Sequence, residues 1–204
     1  PITYPADPMQ AGRMVANQFG CRACHVLDDG KGGNAGPDLR ISGQKLGSDW
    51  VKHFLEDPRS HGKIYPVRVS RMPKLALNPQ EIEIMAKYLL AMGKRKEPLA
   101  KKLDVTTVSA AEMTEGKNIY VLRCTECHNL GKVIEIPEAK RQGPDLGLVA
   151  GRVDYDWSKA WITDPKKIAP NTKMTLPGIT PEQIEAVRKF VWKTSQEMSS
   201  HKNE

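Results

Sequence analysis

Cysteine is scarce in this chain. There are four in 204 residues, and all four fall in two short motifs, so none is left for a disulfide. Long apolar runs are missing as well. No stretch approaches the length of a membrane-spanning helix, and the chain as given is expected to be soluble. It has no charged start followed by an apolar segment, so the expectation is a mature chain whose leader has been removed, or a fragment of something longer. Apolar residues make up only 39%, mean hydropathy is −0.51, and there are 15 Pro and 16 Gly. That supply is thin for large cores and leaves much of the chain to loops. Nucleic-acid-binding motifs are absent, and the basic residues behind the net charge of +7 are spread out. The excess suits docking on acidic partners or ordinary solubility, and both readings stand.

The cysteines that are present occupy Cys21-Arg22-Ala23-Cys24-His25 and Cys124-Thr125-Glu126-Cys127-His128. Two thiols three positions apart, followed by an imidazole, form the attachment signature of c-type haem. The thiols add across the vinyl groups as thioethers, and the His reaches the iron from one face. A zinc site brings its Cys pairs within a few tens of residues, whereas these pairs lie 103 apart and each has its own His. A dithiol redox motif calls for a βαβ context and has no need of that His.

The motif belongs to a repeat, and the repeat divides the chain into two domains of about a hundred residues. Residues 1–8 read as an extended arm. A helix over about Met9 to Gly20 takes Met14, Val15, Ala16 and Phe19 as its apolar positions. Its counterpart opens on a capping box, Ser109 to Glu112. Gly12 and Gly116 sit inside these helices, and their recurrence favours a close helix crossing over simple tolerance. After each motif come Gly36-Pro37-Asp38-Leu39 and Gly143-Pro144-Asp145-Leu146, the second after a loop four residues longer. From there the halves align at a spacing of 107, Trp50 with Trp157 and Phe54 with Trp161. A short helix is expected in each half, with Ser48 and Asp156 as N-caps, ended by Asp57-Pro58 and Asp164-Pro165. The closing helices begin at Asn78-Pro79 and Thr180-Pro181, with Glu81 and Gln183 at the third position. Their stripes are Ile82, Met85, Ala86, Leu89 and Ile184, Val187, Val191. The expected boundaries are 1–97 and 109–204, joined by a charged linker over 98–108, and Ser195 to Glu204 read as a frayed tail. A haem in each domain would add a large apolar body to each core, so the apo chain is expected to be poorly ordered.

A haem that shuttles electrons needs a second axial ligand, and a thioether favours ferrous iron. Most Met residues are core filler. Met72 and Met174 differ in lying in irregular, Pro-containing loops just before the closing helices. They are the candidate ligands opposite His25 and His128. His61 and His53 are rivals for the first iron, with His61 read as a loop histidine and His53 as facing solvent or a propionate; His201 reads as inert.

These residues resemble two fused class I cytochrome c domains, as in dihaem cytochromes of the c4 kind or the dihaem subunit of flavocytochrome c. The resemblance covers both halves nearly end to end. It implies a mostly α fold of two tandem domains, each wrapped around one covalent haem, and two haem c groups in all. It implies that the carbonyls of Pro37 and Pro144 accept the ring N–H of His25 and His128, orienting the imidazoles. Trp50, Trp157, Lys45 and Arg152 become neighbours of the haem propionates, with simple packing an equal reading for the Trp residues. The family usually has an aromatic four residues after the helix Gly. Tyr120 fits, but the first half has Ala16, so its crossing is expected to pack differently.

The expected function is electron transfer, not catalysis, between redox partner proteins in the bacterial periplasm or another extracytoplasmic space. A dihaem peroxidase-like enzyme and an electron-transfer subunit of a larger dehydrogenase or respiratory complex are the alternatives.

Overall fold

A computed structural model describes residues 2–59, 72–94, 101–140 and 142–200 of the chain. The chain falls into two compact units, Pro1–Ala100 and Lys101–Glu204. The described residues form α-helices, short 3-10 turns and loops, with two isolated β-bridges and no strand.

In the first unit, α1 spans Pro8–Gln18, α2 Leu39–Lys45, α3 Ser48–Glu56 and α4 Pro79–Met92. Asp7 caps α1 by accepting from the Gln10 N–H, and Pro8 takes the first helical position, so the arm is shorter than expected. Asn78 and Glu81 complete a reciprocal capping box on α4. Helix α4 is the centre of the unit, packed by α1, α2 and α3. Its stripe Ile82, Met85, Ala86 and Leu89 is buried, as are Val15 and Ala16 of α1. Met14 is not core, being 41% exposed. The α1–α4 crossing is packed by Tyr88 of α4, which is fully buried with its ring directly against Gly12. A Cβ at position 12 would overlap that ring. Ala16 leaves room, and the aromatic comes from the other helix.

The Tyr88 hydroxyl donates to Asp28 at 2.5 Å, and Arg13 reaches the other oxygen of the same carboxylate. Burial pushes the Asp28 carboxyl up, but those two partners outweigh it and hold the group below its ordinary value.

In the second unit, α5 spans Ala110–Arg123, α6 Val149–Arg152, α7 Tyr155–Thr163, α8 Pro165–Ile168 and α9 Pro181–Ser200. Helix α9 is the centre here, contacted by α5, α6 and α7. Gly116 of α5 lies against the Ala186 carbonyl and the Phe190 side chain, and Tyr120 and Phe190 meet with ring centroids 5.9 Å apart. Arg188 of α9 is buried. It donates to Ser158 Oγ and the Tyr155 carbonyl, pairs with Glu185, and lies 3.9 Å from the Tyr155 ring centroid. A buried guanidinium is tolerated when its donors are satisfied in this way.

Four expectations need correction. Ser48 and Asp156 are not N-caps. Gly47 precedes α3, and Asp154 caps α7 by accepting from the Trp157 N–H. Each half has a further short helix, α2 or α6, before the expected one, and the second half adds α8, started by the same Asp164 that ends α7. Ser195–Ser200 is not frayed but helical, because the Ser195 hydroxyl is buried between the Gly147 carbonyl and the Ala150 N–H. Residues 101–108 are tied to the second unit: the Lys101 N–H donates to the Asp154 carboxylate, its carbonyl accepts from the Tyr155 N–H, and Val108 is buried. Residues 95–100, His61 and His201 lie outside the described residues.

Candidate haem-attachment sites

Each CxxCH forms one tight turn directly after its helix. The first is a 3-10 turn, Cys21–Ala23, entered through Gly20 at φ 67°, a left-handed conformation suited to glycine. The second follows α5, where the Cys124 and Thr125 N–H groups share the Tyr120 carbonyl. In both turns the His N–H returns to the carbonyl of the first Cys, at 3.0 Å for His25 and 2.9 Å for His128. This places both thiols and the imidazole on one short arc.

The loops then return to the turn. The Gly36 N–H donates to the Cys24 carbonyl at 2.8 Å, and the Gly143 N–H to the Cys127 carbonyl at 2.9 Å. Next, His25 Nδ1 lies 2.8 Å from the Pro37 carbonyl and His128 Nδ1 lies 2.7 Å from that of Pro144. A carbonyl only accepts, so Nδ1 carries the proton in each ring and Nε2 keeps its lone pair for a metal. Burial pulls the His128 pKa down, which favours this neutral form.

Gly36 and Gly143 serve a steric purpose here. A Cβ at either would overlap the imidazole it faces. In the second half Asp145 Oδ1 accepts from the Gly131 and Gly147 N–H groups, fixing the loop on both sides. In the first, Asp38 caps α2 and pairs with Arg40.

The thiols are all unpaired. Cys24 is exposed, while Cys21, Cys124 and Cys127 are half-buried. Burial pushes the Cys124 thiol up to about 11 and raises Cys21 as well. A redox-active dithiol needs the opposite shift. No group of three or more His, Cys, Asp or Glu able to hold a bare metal ion occurs among the described residues.

Lys45 and Arg152 each end their helices, α2 and α6. Arg152 donates to the Asp145 carbonyl at 3.3 Å, and its Nε and Asp145 Oδ2 are buried with no hydrogen-bond partner among the described residues. Desolvation lowers the Arg152 pKa. An under-satisfied buried guanidinium near His128 fits an anionic group such as a propionate. Trp50 stacks on Phe54 at 4.8 Å and Trp157 on Trp161 at 5.3 Å, both 16° from parallel. His53 is exposed on α3.

Met72 is half-buried at the edge of the described residues. Met174 is half-buried too, and its N–H donates to Thr172 Oγ at 3.2 Å. The Trp161 indole N–H points to its sulfur at 2.9 Å. Three features escape a reading of the sequence: this contact, the Tyr120 hydroxyl donating to the His128 carbonyl at 3.1 Å, and the glycine–imidazole fit. The signals available were the Trp161 position, four residues after Trp157 and matching Phe54, and the Gly that opens each tetrapeptide.

Residues 9–93 match the family model described as Cytochrome c. Among similar proteins, cytochrome c oxidase subunit 2 of Bacillus sp. (strain PS3) is 31% identical over 107 residues, covering 48% of this chain. The chain spans 29% of that protein's length. Cytochrome c of Cannabis sativa is 29% identical over 91 residues, 35% of this chain and 78% of the relative. Cytochrome c of Theileria annulata is 26% identical over 107 residues, 43% and 90%. No solved structure matches significantly. No helix among the described residues is long and apolar enough to cross a membrane. By the match over 9–93 and by these relatives, the chain is similar to cytochromes c.

Proposed function

We propose that the chain is a dihaem c-type cytochrome that passes single electrons between redox partner proteins. One domain, residues 1–97, would hold a haem through Cys21, Cys24 and His25. The other, residues 109–204, would hold a second through Cys124, Cys127 and His128. Met72 and Met174 would supply thioether sulfurs as further iron ligands. When bound, haem supplies a one-electron iron couple. The observation that carries the reading is the doubled geometry: two CxxCH turns, each with its His Nδ1 on a proline carbonyl at 2.8 or 2.7 Å.

The chain's own residues would bind, orient and shield. The Pro37 and Pro144 carbonyls hold the tautomer that leaves Nε2 basic. Trp50, Trp157, Lys45 and Arg152 would surround the propionates. No general acid or base is needed, and we read the protein as a carrier, not an enzyme. Its site of action would be extracytoplasmic in a bacterium, the space in which c-type haem is attached. The net charge of +7 favours partners with acidic docking surfaces.

The similarity to an oxidase subunit over 107 residues favours a second reading, in which the chain is the electron-transfer part of a larger respiratory complex. Affinity capture from native membranes separates the two. The carrier reading itself is tested by the absorption spectrum of the native protein, scaled to haem content. Two haems per chain, with the far-red Met-to-ferric-iron band at two-site intensity, are expected. One haem per chain, or rapid cyanide binding at both irons, would overturn it.

A further inference from the structure

Gly-Pro-Asp-Leu occurs twice, but its aspartate has two different fates. Asp38 turns outward. Its carboxylate caps α2 by accepting from the Arg40 N–H at 2.9 Å, and it pairs with the Arg40 guanidinium at 2.7 Å; neither side chain is buried. Asp145 turns inward. Its Oδ1 accepts from the Gly131 and Gly147 N–H groups at 2.9 and 2.8 Å. Its Oδ2 is buried with no hydrogen-bond partner among the described residues. Arg152 donates to the backbone carbonyl of Asp145 at 3.3 Å and leaves the carboxylate without a direct ion pair. The charge of Asp145 therefore stays unneutralised beside the second attachment site. Its neighbour Pro144 holds His128 Nδ1 at 2.7 Å. Burial pulls the His128 pKa down, and against it act first the Pro144 bond and then the Asp145 charge, with Arg152 working the other way to a smaller extent. The carboxylate is thus felt at the imidazole itself.

We propose that the inward Asp145 carboxylate lowers the reduction potential of the second site, whereas the outward Asp38 leaves that of the first unchanged. The inference rests on the reading that His128 carries a haem iron. Ferric iron holds one more positive charge than ferrous iron. A buried carboxylate beside the ligand attracts that extra charge, and the attraction is stronger inside the protein than in water. The oxidised form gains, so the potential falls. Asp38 lacks this leverage because Arg40 offsets its charge and water screens the rest. A propionate at Arg152 would engage that cation and leave Asp145 still unbalanced. One motif would in this way give the two sites different potentials, through the direction in which a single side chain turns.

The test is a spectroelectrochemical titration of the intact haem-loaded chain and of its Asp145→Asn and Asp38→Asn variants. Asn keeps an oxygen that can accept from Gly131 and Gly147, or cap α2, so each change removes a charge and spares the loop. Wild type is expected to show two haems and two one-electron steps. Asp145→Asn should move one step to higher potential, leave the other, and keep the far-red band at full intensity. Asp38→Asn should leave both steps in place. Two haems and an intact band, with both steps of Asp145→Asn unmoved, would overturn the inference and leave the haem reading standing. Equal shifts in the two variants would overturn it too, since the direction of the side chain would then carry no weight. One haem per wild-type chain would overturn the haem reading, and this inference with it. If Asp145→Asn loads less haem than wild type, the infrared redox difference spectrum of the wild-type chain with isotope-labelled aspartate decides. A labelled carboxylate band is expected to shift with one step of the titration. No aspartate band moving at either step would sink the proposal.

Discussion

The Tyr120 hydroxyl donates to the backbone carbonyl of His128 at 3.1 Å, from a side chain with no solvent exposure. Together with the bond from Nδ1 to Pro144, this holds the second histidine at both its backbone and its ring. The first half is built otherwise. Ala16 stands at the equivalent place, and the buried hydroxyl, from Tyr88, goes to Asp28 instead. Tyr120→Phe keeps the ring against Phe190 and removes only the donor. It should cost about 1 kcal/mol by leaving a half-buried carbonyl short of a partner. Thermal unfolding of the haem-loaded chain measures this, and an unchanged midpoint would remove Tyr120 from the histidine's support.

Gly143→Ala is expected to do more local damage than its one added methyl suggests. The new Cβ overlaps the His128 imidazole, so either the ring or the returning loop must shift. Overpacking of this kind costs about 1–3 kcal/mol. The shift also breaks the alignment of Nδ1 with the Pro144 carbonyl. The variant should emerge with close to one haem per chain, counted by pyridine haemochrome against protein. Gly36→Ala should show the same deficit through His25.

Gly116→Ala sets two effects against each other. Ala is favoured over Gly in a helix by roughly 1 kcal/mol. Against that, the methyl would meet the Ala186 carbonyl and the Phe190 side chain across the α5–α9 crossing. A backbone carbonyl cannot swing aside as a flexible side chain can, so the steric cost of about 1–3 kcal/mol should prevail. Net destabilisation in denaturant titrations is expected, and a stabilised variant would show the crossing to be looser than described.

Glu112 gives the second unit a predictable response to acid. The Lys189 ammonium at 2.5 Å, followed by the Ser109 N–H and hydroxyl, holds the Glu112 carboxyl down at about 2. Its folded pKa lies below the ordinary value of 4.5, so its contribution is complete above that pH. The contribution fades as pH falls from about 4.5 towards 2. Glu112→Gln should therefore lower stability at neutral pH and flatten the dependence across that acid window. Parallel pH curves for the two proteins would show that the carboxylate contributes nothing.

Helix starts were the most legible part of the fold, because each capping signal is a local chemical requirement. Ser109 with Glu112, Asn78 with Glu81 and Thr180 with Gln183 all make their reciprocal bonds. Asp154 was harder to find, since Asp156 two residues on carries the same carboxylate and only backbone geometry chooses between them. The helical end of α9 was hidden for another reason. Ser195 looks like a tail residue until its hydroxyl is placed between Gly147 and Ala150, 48 and 45 positions away. CxxCH was visible because attachment to one small group demands neighbours in sequence. The Trp161–Met174 contact spans 13 residues and two loop geometries, and nothing local announces it. Met14 misled because its position fits a helical stripe whose far edge faces water.

The return of each loop to its histidine closes on the same bond after different lengths, 12 residues from His25 to Pro37 and 16 from His128 to Pro144. Closure entropy grows with the logarithm of length, so the extra residues cost only about 0.3 kcal/mol. The loop is pinned at its end by Gly143, Pro144 and the Cys127 carbonyl and earlier by buried Leu130 and Ile136 and the Gly131 N–H on Asp145, whereas residues 137–140 are exposed and comparatively free to change. That span is where a peptide tag or a surface thiol for wiring the protein to an electrode would be spliced in, next to the second attachment turn and with least disturbance to the fold.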